Sequence, residues 1–139
     1  MILDDEDILV NDVRDYLKSF NMITEMIDDD EKRKDLVKHL NENISFDNYV
    51  WDWYCDGIQL SIPNKWASQL ITIIRRDSKY DFFFYPSKQQ NKEFESIMDT
   101  MINTLGLIEY GRSKNHPEYL KREYYLPRHQ KYEIYERGY

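Results

Sequence analysis

The fold class of this chain depends on residues 57–86, which read GIQLSIPNKWASQLITIIRRDSKYDFFFYP. Residues 58–62 alternate apolar and polar side chains, as a half-buried strand does, and Pro63 ends that run. Residues 80–85 form a second short, aromatic run that ends at Pro86. We therefore predict a strand in each run.

Residues 65–76 lie between these strands and fit two different structures. Their polar and apolar positions both recur at helical spacing, which predicts an amphipathic helix with Trp66 on its apolar side. Leu70 and Ile74 should then be buried, and Gln69 and Thr72 should be exposed. The β-branched run at 70–74 instead favours a strand that forms a hairpin with residues 80–85. Because the helical period covers the whole segment, we prefer the helix and keep the hairpin as the alternative.

The N-terminal third of the chain is predicted to be helical. Apolar side chains recur every three or four residues in 4–20, and Asn21 either ends this helix or caps a short turn of helix in 22–27. A second helix is expected to begin with an acidic cap in the run 28–31 and to continue to about Asn41, with its acids at the positive end of the helix dipole.

The most aromatic segment, residues 46–55, is predicted to form a short helix capped by Ser45. Helical spacing turns one set of its side chains inward and leaves Trp51 on the outward face. The predicted inward set is Phe46, Tyr49, Val50 and Trp53.

The clearest helix is predicted to begin at Ser87, because apolar side chains recur with helical spacing until Gly106 ends the pattern. A strand is expected at 107–110, an edge strand at 124–126 and a last strand at 132–135. These elements predict an α+β fold: a helical N-terminal third is followed by a small mixed or antiparallel sheet, which one long amphipathic helix covers.

The length of 139 residues fits a single domain, with an acidic helical part in 1–56 and a strand-containing part with a Tyr- and Arg-rich tail in 57–139. The first part carries 16 acidic and 6 basic side chains, whereas the second carries 10 acidic and 13 basic ones. An acidic half disfavours phosphate binding there and suits a protein partner with a basic surface, although acidity also serves solubility.

Several features indicate a cytoplasmic protein that does not contact a membrane. The N-terminus has no signal-peptide pattern, and no apolar run is long enough for a membrane span. The one cysteine, Cys55, cannot form an internal disulfide, and we expect it to be a buried structural thiol. The scarcity of Ala, Gly and Pro beside abundant Ile and Asn indicates AT-rich coding DNA, which suits a bacteriophage or another mobile element.

The sequence contains no catalytic, metal-binding or cofactor motif. His39 is expected on a solvated helix surface, and neither His116 nor His129 has a partnered nucleophile nearby in the sequence. There is no CxxC pair, EF-hand loop, P-loop or dinucleotide-binding glycine motif. We therefore expect no enzymatic activity and no cofactor.

Residues 112–137 interleave basic side chains with tyrosines, a pattern that serves either single-stranded nucleic acid or a protein interface. Four glutamates dilute the positive charge of this tail, so protein contact is the preferred interpretation. The candidate partner-binding residues in the whole chain are Asp4, Asp5, Asp7, Asp28, Asp29, Asp30, Trp51, Tyr124, Tyr125, Arg128 and Tyr132.

These features favour an acidic, non-enzymatic binding protein. The leading hypothesis is a phage or mobile-element accessory protein that inhibits a basic, nucleic-acid-handling host defence enzyme, as anti-CRISPR proteins do. The alternatives are an immunity or antitoxin-type protein that neutralises a toxin, and an RNA- or single-strand-binding module that acts through the tail. The sequence leaves the oligomeric state open.

Overall fold

A computed structural model of the chain describes residues 5–45, 47–86, 92–110 and 121–128, with side chains from residue 16 onward. The helices are α1 (Asp5–Met26), α2 (Asp30–Asn43) and α3 (Lys92–Leu105). The strands are β1 (Val50–Tyr54), β2 (Gly57–Ser61), β3 (Ile71–Arg75), β4 (Lys79–Phe84), β5 (Ile108–Glu109) and β6 (Arg122–Pro127). The fold class is α+β, with an antiparallel sheet, as the sequence predicted.

All six strands form one antiparallel sheet in the order β1-β2-β3-β4-β6-β5. One face of the sheet carries large apolar side chains on every long strand, and they join buried side chains of all three helices in one cluster. The sheet contributes Trp51, Ile58, Leu60, Ile71, Ile73, Tyr80, Phe82, Phe84 and Tyr124 to this core. We call the other side of the sheet the open face. Of the helices that the structure describes, none is long and apolar enough to cross a membrane.

The predicted helix over 65–76 is wrong, and the strand that was its alternative is present as β3. Ile71 and Ile73 point into the core, while Thr72, expected to be exposed, is also buried because β3 lies inside the sheet. Residues 62–70 form a loop instead of a helix. Ile74 and Gln69 are both half-buried, and only the burial of Leu70 follows the prediction.

The predicted helix at 46–55 is also wrong, because this segment contains β1. A two-residue turn at Cys55 and Asp56 joins β1 to β2, which places Trp51 opposite Leu60 and directs its side chain into the core. The Trp51 indole Nε1 donates to the Ile44 carbonyl oxygen at 2.7 Å. Trp51, expected to face outward, is therefore 1% exposed, whereas Trp53, expected to face inward, is 41% exposed.

Gly57 is required where β2 lies against β3. A Cβ atom at this position would lie 1.8 Å from the backbone oxygen of Ile73 on β3. No side chain fits at that distance, so a glycine lets the β2 and β3 backbones approach.

The helices follow the predicted pattern with different ends. α1 continues to Met26 without the interruption expected near Asn21, and α2 is capped as expected. The Asp29 carboxylate accepts from the backbone N–H groups of Glu31 at 2.9 Å and of Lys32 at 3.2 Å. β6, expected at an edge, lies between β4 and β5, and the strand expected at 132–135 lies outside the described residues.

Candidate binding surface

The loop that follows β2 presents Trp66 to solvent. Pro63 and Asn64 turn the chain away from the sheet, and the Ser68 hydroxyl then closes the loop by accepting from the Ile62 N–H at 2.9 Å. The same hydroxyl lies 2.8 Å from the carbonyl oxygen of Lys65, to which it donates. These bonds hold the loop in one shape, and in that shape Trp66 is 95% exposed.

Backbone strain accompanies this display of Trp66. Asn64 and Ala67 both have positive φ angles, of 63° and 56°. Asparagine tolerates the left-handed region, but for an alanine it costs about 1–2 kcal/mol. The bonds of Ser68 therefore hold a loop geometry that the local sequence does not favour by itself.

Two open grooves flank Trp66 on the open face of the sheet, and each has a volume of ≈ 360 Å³. Asp52 lines the first groove and Tyr54 lines the second, because side chains two residues apart on β1 project from the same face. Both grooves share further polar residues from β2 and from the loop. We call this surface the Trp66 face and define it by Asp52, Tyr54, Gln59, Ser61, Lys65 and Trp66.

The Trp66 face itself contains one acidic residue, Asp52, and one basic residue, Lys65. Residues 47–64 include Asp47, Asp52 and Asp56 and contain no lysine or arginine. All three carboxylates belong to exposed residues. Lys65 is the first basic residue after them along the chain, and it lies beside Trp66 in both grooves.

The outer edge of β1 is partly occupied by side chains of the protein itself. The Asn41 amide accepts from the Trp51 N–H at 2.7 Å and donates to the Trp51 carbonyl oxygen at 3.0 Å. The Asp52 carboxylate accepts from the Trp53 N–H at 2.7 Å. Because an added strand would need these backbone groups, the face of the hairpin is more available to a partner than its edge.

The acidic run at 28–30 is engaged within the protein. Asp28 accepts a hydrogen bond from the Tyr80 hydroxyl at 2.8 Å and forms an ion pair with Arg128 at 2.9 Å. Asp30 lies 2.8 Å from the Arg33 guanidinium. Hydrogen bonds from the backbone of Lys32 and then of Glu31 lower the pKa of the capping Asp29 carboxyl.

Among the other acidic candidates, Asp5 and Asp7 belong to α1, but their side chains lie outside the described residues, as does Asp4 altogether. Asp28, Asp29 and Asp30 thus have structural contacts, whereas Asp52 of the β1–β2 hairpin lies in a groove beside an exposed aromatic ring.

The described part of the basic tail also makes contacts within the protein. Tyr124 is 3% exposed and packs edge-on against Phe84, so it belongs to the core. Tyr125 lies on the open face with its ring centroid 4.9 Å from that of Tyr110. Arg128 lies over the Tyr80 ring at 5.4 Å while it pairs with Asp28, as described above. Tyr132 lies outside the described residues.

Lys79 and Asp81 connect these tyrosines to the end of the sheet. The Lys79 ammonium lies 4.7 Å from the Tyr110 ring centroid, and a hydrogen bond to Tyr110 is the main cause that raises the lysine pKa. Asp81 accepts from the Tyr110 hydroxyl at 2.5 Å and from Arg76 Nε at 3.0 Å. Burial, followed by the bond to Asp81, raises the Tyr110 pKa. This end of the open face is thus a set of mutually paired groups.

Two residues considered for chemistry differ from expectation in their surroundings. His39 is half-buried, and its Nε2 lies 2.9 Å from the Ser19 hydroxyl. Cys55, expected to be a buried thiol, is exposed at the hairpin turn because the segment is a hairpin and not a helix. Within the described residues, no three His, Cys, Asp or Glu side chains are grouped to hold a metal ion. His116 and His129 lie outside those residues.

Sequence reasoning missed the Trp66 face because it placed Trp66 on the buried side of a helix. The Pro63-Asn64 pair gave no decisive signal, because asparagine suits both a turn and the N-cap of a helix that begins at residue 65. Comparison of the chain with protein-family models, with curated proteins and with solved structures gave no match.

Proposed function

We propose that this chain is a non-enzymatic binding protein that attaches through the Trp66 face to a basic surface of another protein. The observation that carries the proposal is the 95% exposure of Trp66 on a loop whose own hydrogen bonds fix its shape. A loop that is already ordered loses little conformational entropy when a partner binds.

An exposed tryptophan offers a large gain on binding. Burial of one aromatic side chain removes about 150–250 Å² from water, which corresponds to about 4–6 kcal/mol at 25 cal/mol per Å² as an upper bound. Tryptophan and tyrosine are also the residues that most often dominate the energy of protein interfaces. Trp66 and Tyr54 together would form the centre of such an interface.

The net charge of the chain favours a basic partner. Its 26 acidic side chains outnumber its 19 basic ones, and Asp52 places one carboxylate in the Trp66 face itself, so a positively charged surface would be attracted over a distance of about 8–10 Å at physiological ionic strength. Enzymes that handle nucleic acids carry such surfaces, because they bind phosphates. The partner we propose is therefore a nucleic-acid-handling enzyme, such as a host defence nuclease, whose binding channel is blocked by a phage or mobile-element accessory protein.

Affinity capture from the native host tests this proposal. Wild-type protein, Trp66→Ala and the control Leu17→Ala would serve as baits, since Leu17 is an exposed apolar residue on α1. We expect wild type and the control to retain the same basic protein and Trp66→Ala to lose it. Added nucleic acid should compete with the bait for that protein.

Equal retention by Trp66→Ala would contradict the proposed interface. If added nucleic acid does not release the captured protein from the bait, the proposed mode of inhibition is contradicted. The immunity-type alternative is then favoured, provided that the captured protein is a toxin.

A further inference from the structure

We propose that the Trp66 face recognises an arginine side chain of its partner, with the guanidinium stacked on the Trp66 indole and hydrogen-bonded to Asp52. This inference rests on the proposed function and adds the chemical group that the face binds.

The groove beside Trp66 offers both kinds of contact that a guanidinium makes. The indole supplies a flat π surface, which attracts a cation placed over it within about 6 Å. Asp52 lines the same groove as Trp66, and its Oδ1 accepts from the Trp53 N–H, which leaves Oδ2 as the acceptor for a further donor. The neighbouring Gln59 adds an amide oxygen to the groove.

The size of the groove fits one side chain better than a longer segment. Its volume is ≈ 360 Å³, near the lower limit of about 300 Å³ for a ligand site. Lysine fits this chemistry less well, because its ammonium is a strongly hydrated point charge, whereas a guanidinium is planar, weakly hydrated and able to stack while it donates sideways.

The same three groups already occur together elsewhere in this chain. Arg33 places its guanidinium carbon 4.7 Å from the Trp53 ring centroid and its Nη2 2.8 Å from the Asp30 carboxylate. An arginine between a tryptophan and an aspartate is therefore a geometry that this protein uses internally. At the Trp66 face the tryptophan and the aspartate are present, and we infer that the partner supplies the arginine.

Lys65 separates this proposal from nucleic-acid binding at the same face. If a nucleotide base stacked on Trp66, Lys65 would attract the nucleotide's phosphate and Asp52 would repel it. If an arginine stacked there, Asp52 would attract its guanidinium and Lys65 would repel it. The Asp52 carboxylate accepts hydrogen bonds, which a guanidinium can donate and a phosphate diester cannot, and the chain has 26 acidic against 19 basic side chains, so both favour the arginine.

Titration of the full chain with blocked tripeptides, followed by NMR signals of the tryptophan indole N–H groups, tests the inference. The probes are Gly-Arg-Gly, Gly-Lys-Gly, Gly-citrulline-Gly, in which citrulline is the uncharged isostere of arginine, and an oligothymidylate. The Trp66 signal is assigned from its loss in Trp66→Phe. We expect the arginine peptide to shift this signal saturably, the lysine peptide to bind more weakly and citrulline to leave it unshifted.

Two charge variants sharpen the test. Asp52→Asn keeps an oxygen for the Trp53 N–H but removes the charge, and it should weaken arginine binding about 1.5-fold to fivefold, as expected for the loss of an exposed ion pair. Lys65→Gln removes a like charge and should strengthen it.

An unshifted Trp66 signal, equal binding of arginine and citrulline, or an oligonucleotide shift that Lys65→Gln abolishes would each overturn the inference. If the peptides fail while capture of the host protein still depends on Trp66, only the arginine assignment is lost and the proposed function stands.

Discussion

Replacement of Asp28 by alanine should lower the free energy of unfolding by about 2–3 kcal/mol, because this carboxylate satisfies a buried hydroxyl. Tyr80 is 2% exposed, and its hydroxyl donates to Asp28 Oδ2 at 2.8 Å. A buried hydroxyl left without an acceptor costs about 1–3 kcal/mol, and the partly exposed ion pair with Arg128 adds at most about 1 kcal/mol.

A double-mutant cycle isolates the hydrogen bond from the ion pair. Asp28→Ala, Tyr80→Phe and the double variant would be unfolded in urea and followed by far-UV circular dichroism. The coupling energy should be about 1.5–3 kcal/mol, as for hydrogen bonds to a charged group. Asp35→Ala, an exposed acid on α2, is the control and should change stability by less than about 0.5 kcal/mol. A coupling energy below about 0.5 kcal/mol would refute the assigned hydrogen bond.

The remaining predictions concern pH, one close backbone contact and the edge of the sheet. Burial, followed by the bond to Asp28, raises the Tyr80 pKa from 10.0 to about 12. The folded state therefore keeps this proton longer than the unfolded state, and about 2–3 kcal/mol of stability, present below pH 10, should be lost as the pH rises to 12. Urea titrations should show that loss in wild type and a smaller one in Tyr80→Phe. Gly57→Ala should lower the free energy of unfolding by at least about 2–3 kcal/mol, because its Cβ would meet the β3 backbone. The control Gly106→Ala should lower it by about 1 kcal/mol, because Gly106 has a positive φ but open space around it. Equal effects would disprove the close approach at Gly57. Asn41→Ala should cost about 1–2 kcal/mol and expose the Trp51 edge, with more self-association on gel filtration; an unchanged elution and melting curve would contradict that role.

The helices could be predicted from the sequence because each one buries a single stripe. In α3, the apolar positions Phe94, Ile97, Met98 and Met101 recur with helical spacing, and all four are buried. The helical spacing of apolar residues shows which side of the helix faces the core, whatever other helix or strand it packs against. The cap of α2 could be predicted for the same reason, because it involves only neighbouring groups along the chain. The structure places it at Asp29, within the acidic run where the cap was expected.

The strands at 50–54 and 71–75 could not be predicted in the same way. β3 lies between β2 and β4, and Thr72, although it is on the open face, is also buried. Burial therefore does not alternate along β3, and its sequence shows no regular alternation of apolar and polar residues. In β1 the register is fixed by the turn at Cys55 and by the pairing with β2, both of which are tertiary features. The apparent helical period over 65–76 arose because a loop and a strand were interpreted as one segment.

The position of the candidate site could not be predicted from the sequence. The sequence directed attention to acidic and aromatic side chains, and that choice stays a prediction, but it could not show that Asp28 and Asp30 contact arginines of this chain. It also could not show that Trp51 and Tyr124 enter the core, because that depends on strand register. Trp66 becomes a candidate only when the loop that carries it is seen.

Hydrogen–deuterium exchange of the chain, free and bound to the protein that it captures, tests the central claim most directly. The proposed interface predicts that amides in residues 50–69 become protected in the complex, since β1, β2 and the Trp66 loop would be covered. Amides on the outer sides of α1 and α2 should exchange as before. Protection confined to residues 5–43, with residues 50–69 unchanged, would contradict the account and move the interface to the helical layer.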